Sequence, residues 1–153
     1  MSDKGPLEEL LERQKEEAEG EGSFDRNACL AEWLEWLDDL FSDMAGWLEP
    51  LRESGHLNFR RFEQPHHEEL LGSYKAPSLV IESPTRHKVE IDPGGRIVVG
   101  ALGRIDFTAG SKKATLVRSK GEEWLFASRR GTKFEYHPLT EETFKEVLAE
   151  MLK

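Results

Sequence analysis

The chain has a single cysteine, Cys29, so no disulfide can close within it, and the lone thiol points to a reducing compartment. No apolar run approaches the ~18 residues of a membrane-spanning helix. The opening residues, MSDKGPLEELLERQ, are charged and hold no apolar stretch of the secretory kind. These absences lead us to expect a soluble, cytoplasmic protein with no membrane association. Phosphate-binding motifs are missing too. There is no GxxxxGK(S/T), and neither Pro93-Gly94-Gly95 nor Gly100-Ala101-Leu102-Gly103 precedes the helix that a dinucleotide fingerprint needs. These glycines read as turn and bulge residues, and no cofactor is expected.

Apolar residues are also scarce, at 37% of 153, against 33% charged, so part of the chain should be a solvated arm. The net charge of -9 argues against wholesale nucleic-acid binding. Residues 1–54 hold 16 acids and 5 bases, whereas residues 55–153 hold 14 acids and 16 bases. The halves can attract each other, or the acidic half can face a basic partner.

Tryptophan is what the chain does have. Three of its four tryptophans lie between Ala28 and Leu51. Asp25 is a fitting N-cap for a helix that ends near Pro50 or Gly55. At about 100° per residue, Leu34, Leu37, Phe41, Met44 and Leu48 fall within about 40° of Leu30. Trp33 and Leu40 lie to one side, and Cys29, Trp36 and Trp47 lie further round. This apolar arc of roughly 160° is wider than one-sided burial needs. Trp36, Trp47 and Cys29 are therefore the candidate partner-binding edge, with core packing as the alternative.

Before this helix, residues 1–22 read as an acidic arm with a short helix at 7–19, carrying Leu7, Leu10 and Leu11 on one side. Gly20-Glu21-Gly22-Ser23 should break it. Residues 23–153 read as a single α+β domain. Its helix covers 23–54, a connector 55–77, an antiparallel sheet 78–137 and a last helix 139–153. His66 to Leu71 is expected to form a helical turn or two.

From Ser78 onward the period changes from about 3.6 to 2. Asp92-Pro93-Gly94-Gly95 reads as a hairpin turn. Ile97, Val99, Ala101, Ile105 and Phe107 then share one face of a single strand bent at Gly100 and Gly103. Residues 113–118 and 122–128 form a hairpin around Lys120-Gly121, with Trp124 and Phe126 on one side. Phe134 and Tyr136 mark a last strand, and their alternation favours the core. Leu139, Thr140 and Phe144 fit a hydrophobic staple around an N-cap. Phe144, Val147, Leu148, Met151 and Leu152 should lie on the sheet. The expected fold is thus an antiparallel meander of about five to seven strands, curved or barrel-like, against two helices.

Three function classes remain. The first is a non-enzymatic protein-binding module of the adaptor, chaperone or immunity-protein type, self-association through the Trp-rich helix included. The second is nucleic-acid or phosphate-ligand binding by Arg104, Lys112, Lys113, Arg118, Lys120, Arg129, Arg130 and Lys133. Several of these sit in turns, where they can meet phosphate, and Trp124, Phe134 or Tyr136 can supply stacking. The third is a metal-dependent enzyme using Glu82, Glu90, Asp92 and Asp106 with Lys88, provided the carboxylates converge. A solvated sheet face predicts the same pattern. His66-His67-Glu68-Glu69 offers no metal set, because adjacent helical residues diverge. Cys29 shows no base or oxyanion donor of a catalytic thiol. The first class is preferred because the catalytic constellation is missing.

Overall fold

A computed structural model describes residues 5–20, 25–98 and 100–153. Three helices and seven strands follow one another as α1 (Pro6–Gly20), α2 (Arg26–Glu53), β1 (Asn58–Glu68), β2 (Gly72–Glu82), β3 (Lys88–Gly95), β4 (Gly103–Ala109), β5 (Lys112–Arg118), β6 (Trp124–Arg130), β7 (Lys133–Pro138) and α3 (Glu141–Met151). The strands pair in chain order as one antiparallel meander, and β1 and β7 are its open edges. The α+β class and the antiparallel meander agree with the expectation, and the seven strands fall within the expected five to seven. The sheet is not closed, however, and β1 lies outside the stretch expected to form it. Among the described residues no helix is long and apolar enough to cross a membrane.

Local chemistry sets the helix ends. Asp25 caps α2, its carboxylate accepting the Ala28 amide at 3.0 Å. Pro50 falls in the last turn, and Gly55 (φ +77°) follows the C-cap, Ser54. Thr140 caps α3 in a reciprocal box with Thr143, and the staple residue Phe144 is fully buried.

The core lies between one face of the sheet and the helices α2 and α3. Leu79, Ile81, Val89, Ile91, Ile105 and Phe107 are fully buried, as their shared parity requires. α2 contributes Trp33, Leu37, Leu40, Phe41, Met44 and Leu48. Leu30 and Leu34 are only half-buried. The buried stripe is therefore centred about 30° from Leu30, toward the tryptophans.

Four expectations need correction. Residues 55–77 are not a connector, and 66–71 is not helical. β1 and the first half of β2 occupy this stretch, paired from Asn58↔Glu82 to Glu68↔Gly72. β1 is an edge strand whose helix-facing positions include Arg61, so it carries no apolar alternation. Arg61 instead reaches α2, donating to Asp38 at 2.7 Å and Ser42 at 3.1 Å.

Asp92-Pro93-Gly94-Gly95 does not turn. It is the end of β3, with a bulge between Pro93 and Gly95. Pro93 lies past Ile91, the last residue paired with β2, so on that flank its missing N–H breaks no ladder bond. Gly94 suits close packing, since a Cβ there would sit 2.6 Å from Arg104 Nε and Asp106 Oδ2.

Ile97 to Phe107 is likewise not one strand. The chain leaves the sheet after Gly95 and returns at Gly103. Ile97 is 41% exposed, and Val99 lies outside the described residues. Gly103 re-enters directly under Trp33, where a Cβ would stand 2.5 Å from the indole. Finally, Phe134 and Tyr136 are exposed rather than core.

A polar tie fixes this region. Trp33 Nε1 donates to the Tyr74 hydroxyl at 3.2 Å, and that hydroxyl donates to Glu68. The other Glu68 oxygen accepts the amides of Arg96 (2.9 Å) and Ile97 (3.2 Å). One carboxylate thus joins the β1–β2 hairpin, α2 and the 96–102 loop. Burial, and then this hydrogen bond to Glu68, push the Tyr74 phenol well above its ordinary pKa.

Candidate binding groove

Trp36, Asp39, Leu40, Asp43 and Trp47 follow i, i+3, i+4, i+7 and i+11 along one flank of α2. The sheet ends across from this flank. Arg118 closes β5, Glu123 and Trp124 open β6, and Pro138 and Leu139 lead from β7 into α3. Together they enclose an open groove of about 440 Å³. The Leu139 amide donates to the Trp124 carbonyl at 2.9 Å, which holds the far wall together.

The base of the groove is aromatic. Trp33 lies edge-on to Trp36 at 6.5 Å between ring centroids and tilted against Trp124 at 6.3 Å. The Arg118 guanidinium lies over Trp36 at 4.7 Å and over Trp124 at 5.3 Å. Arg96 covers Trp36 at 5.0 Å and donates to Glu32 at 3.1 Å. Trp47 leans on Phe144 at 5.5 Å. Trp36 and Trp47 are thus half-buried: each packs against its own chain and also lines the groove.

The rim is acidic, with Asp39, Asp43 and Glu123 against one guanidinium. Burial lowers the Arg118 pKa, and the charges of Glu122, Glu32 and Asp39 oppose that. Arg118 Nε is buried and has no hydrogen-bond partner among the described residues. Its stabilisation there comes from the aromatic faces and nearby carboxylates.

In comparisons with known proteins the chain matches no family model, no curated protein and no solved structure. The reading of the groove therefore rests on its own geometry.

The other singled-out residues lie elsewhere. Cys29 does not line the groove and sits in the fields of Arg96, Glu32 and Glu68. Its thiol pKa is raised chiefly by burial, with Arg96 opposing. Below its pKa such a thiol is less ionised than a free one. Iodoacetamide at pH 8 should therefore modify Cys29 several-fold more slowly than an unfolded-peptide cysteine, and labelling at the peptide rate would contradict this placement.

The eight basic residues form no single surface. Arg118 joins the tryptophans, and Arg104 pairs with Asp106 at 3.2 Å. Lys112 donates to the carbonyls of Glu150 (3.0 Å) and Lys153 (3.1 Å) at the end of α3. Lys113 and Arg129 border a second cavity of about 470 Å³ between β5, β6 and α3. Lys120 and Lys133 are exposed, and the side chain of Arg130 lies outside the described residues.

Glu90, Asp92 and Asp106 do share the face away from the core, with Asp92 directly opposite Asp106. Among the described residues, however, no three His, Cys, Asp or Glu side chains converge as a metal site requires. His66 stacks on Tyr74 at 5.7 Å, and His67 bonds Ser73, so the two histidines diverge on the strand.

Sequence reasoning missed Trp124, Leu139 and Arg118 as neighbours of Trp36 and Trp47. Trp124 alternates with Phe126 as a core residue does. Only its place at the first position of β6, opposite Arg118, distinguishes it.

Proposed function

We propose that this chain is a protein-binding module that receives a segment of its partner in the groove between α2 and the end of the sheet. The carrying observation is the convergence of Trp36, Trp47 and Trp124 around an open groove with three carboxylates on its rim. Tryptophan in a partly formed pocket is the side chain most enriched among binding hot spots. A concave site favours an inserted segment over a flat self-interface.

The chemistry selects the segment. Apolar side chains fit against Leu40, Trp47 and Leu139, and a lysine or arginine beside them meets Asp39, Asp43 and Glu123. The aromatic faces add cation–π attraction for the same cation. An anionic ligand meets the wrong sign here. The dispersal of the basic residues also removes the support that nucleic-acid binding drew from their closeness in sequence.

Displayed 12-residue peptides selected on the protein should converge on one basic residue flanked by apolar ones. The double substitution Asp39→Lys, Asp43→Lys should then weaken the selected peptides by about 10-fold or more, read from tryptophan fluorescence. Both aspartates are exposed, so the fold stays intact. Selection of acidic peptides, or affinities unmoved by the substitutions, would overturn the proposal.

A further inference from the structure

Arg96 and Arg118 are half-buried. The Arg96 guanidinium reaches Glu32 at 3.1 Å, whereas that of Arg118 donates to no described residue. It lies over Trp36 at 4.7 Å and over Trp124 at 5.3 Å, and indole rings offer no lone pair to accept its protons. A guanidinium carries five N–H donors in a fixed fork, and leaving such donors unmet away from water is costly. Burial is the leading influence on the Arg118 pKa. The charges of Glu122, Glu32 and Asp39 do not offset it, since the pKa stays lowered. The position therefore lacks an anionic acceptor, although it lines a groove with an acidic rim.

The groove also has a direction. Asp39 and Asp43 stand about 4.5 and 10.5 Å further along the α2 axis than Trp36, and Trp47 about 16 Å. One turn before Trp36, Glu32 holds Arg96 against the indole, 5.0 Å from the ring. An internal segment would have to continue past that pair, whereas a chain end can stop at Arg118. The offset from Arg118 to the two aspartates is one that a single extended lysine or arginine spans, from its α-carboxylate to its cationic tip.

We infer that the segment received in the groove is the C-terminus of a partner protein, ending in lysine or arginine. The inference rests on the groove reading and narrows it. The terminal carboxylate takes forked hydrogen bonds from Arg118. The side-chain cation of the same residue meets Asp39 and Asp43, and the preceding apolar residues run past Leu40 and Leu139 to Trp47. About five residues of extended chain cover that length. Such an end residue carries no net charge, so the acidic rim does not repel it. An aspartate or glutamate side chain in its place would bring the anion without the cation.

The test uses the full chain and N-acetylated pentapeptides with four apolar residues followed by lysine or arginine. One pool has free C-terminal carboxylates and the other has C-terminal amides, and binding is read from tryptophan fluorescence. The free acids should bind, and the tightest of them should weaken by about 10-fold or more when remade as its amide. Arg118→Met should abolish the difference between acid and amide. Arg118 donates to no described residue, so this substitution strands no acceptor. Asp39→Lys plus Asp43→Lys should weaken the free acids by a similar factor. Equal binding of acid and amide, with both weakened by the aspartate substitutions, overturns this inference and leaves the groove reading standing. Acids whose binding ignores the aspartates overturn it too, as does failure of both pools. The groove reading falls as well only if peptides with an internal basic residue also fail to bind.

Discussion

Trp33→Ala should lower the unfolding free energy by about 4 kcal/mol, the middle of the range for an aromatic removed from a core. Trp33 is fully buried, and its indole fills the space above Gly103. It also supports Trp36 and Trp124 and donates to Tyr74. The substitution therefore opens a cavity and leaves Arg118 between two rings that have lost their backing. Denaturant titration reads the loss of stability. At temperatures where the variant remains folded, groove ligands should also bind more weakly, because Trp36 and Trp124 no longer hold their spacing. A loss under about 1 kcal/mol would mean that Trp33 is not the keystone of this corner. Gly103→Val tests the same contact from the other side by overpacking it.

The second large effect is expected at Glu68. Its carboxylate accepts the Tyr74 hydroxyl and two backbone amides of the 96–102 loop. Glu68→Ala removes three hydrogen bonds at once and leaves the buried Tyr74 hydroxyl and the half-buried Arg96 amide without their acceptor. We expect about 3 kcal/mol of destabilisation, within the cost of abandoning a bonded network. Hydrogen exchange at the Arg96 and Ile97 amides should rise sharply. Glu68→Gln keeps an acceptor for those amides and should recover most of the stability. Because Tyr74 ionises less readily in the folded chain than when unfolded, its contribution is complete below the ordinary tyrosine pKa. That contribution falls as pH rises above it. Unchanged amide protection in Glu68→Ala would show that the loop is held some other way.

Local signals were legible wherever one element decided its own form. The Asp25 cap, the Thr140 box with Phe144, and the shared parity of Leu79, Ile81, Val89, Ile91, Ile105 and Phe107 could all be read directly. The same was true of the hairpin around Lys120-Gly121. β1 was not legible, because an edge strand that sends Arg61 to the acidic flank of α2 shows no apolar period. The end of β3 was misleading for a related reason. Pro93-Gly94-Gly95 has turn composition, yet past its pairing with β2 a strand tolerates proline, and close packing against Arg104 and Asp106 favours glycine.

The groove was half legible. Trp36 and Trp47 stood out as the edge of an apolar arc too wide for one-sided burial. Cys29, on the same edge by angle, faces Arg96 and Glu68 instead, because it lies near the start of α2, away from the wall formed by β6 and Leu139. Arg118 read as one of a basic set, and its real surroundings are two indoles. Sequence neighbourhood had grouped Arg118 with Lys112 and Lys120, but the meander sends them to different places.

The sequence by itself determined the elements: where the helices begin, which strand positions are apolar, and that the long helix has more aromatic surface than a sheet alone requires. Periodicity and capping act within a few residues, so one stretch of chain carries all their information. Only the tertiary structure decided that the core is centred toward Trp33 and Leu40, leaving Trp36 and Trp47 at its margin facing Arg118, Trp124 and Leu139. That choice depends on how the helix rotates against the sheet and where the strands end. It is settled by packing among residues far apart in the chain, and no local pattern encodes it.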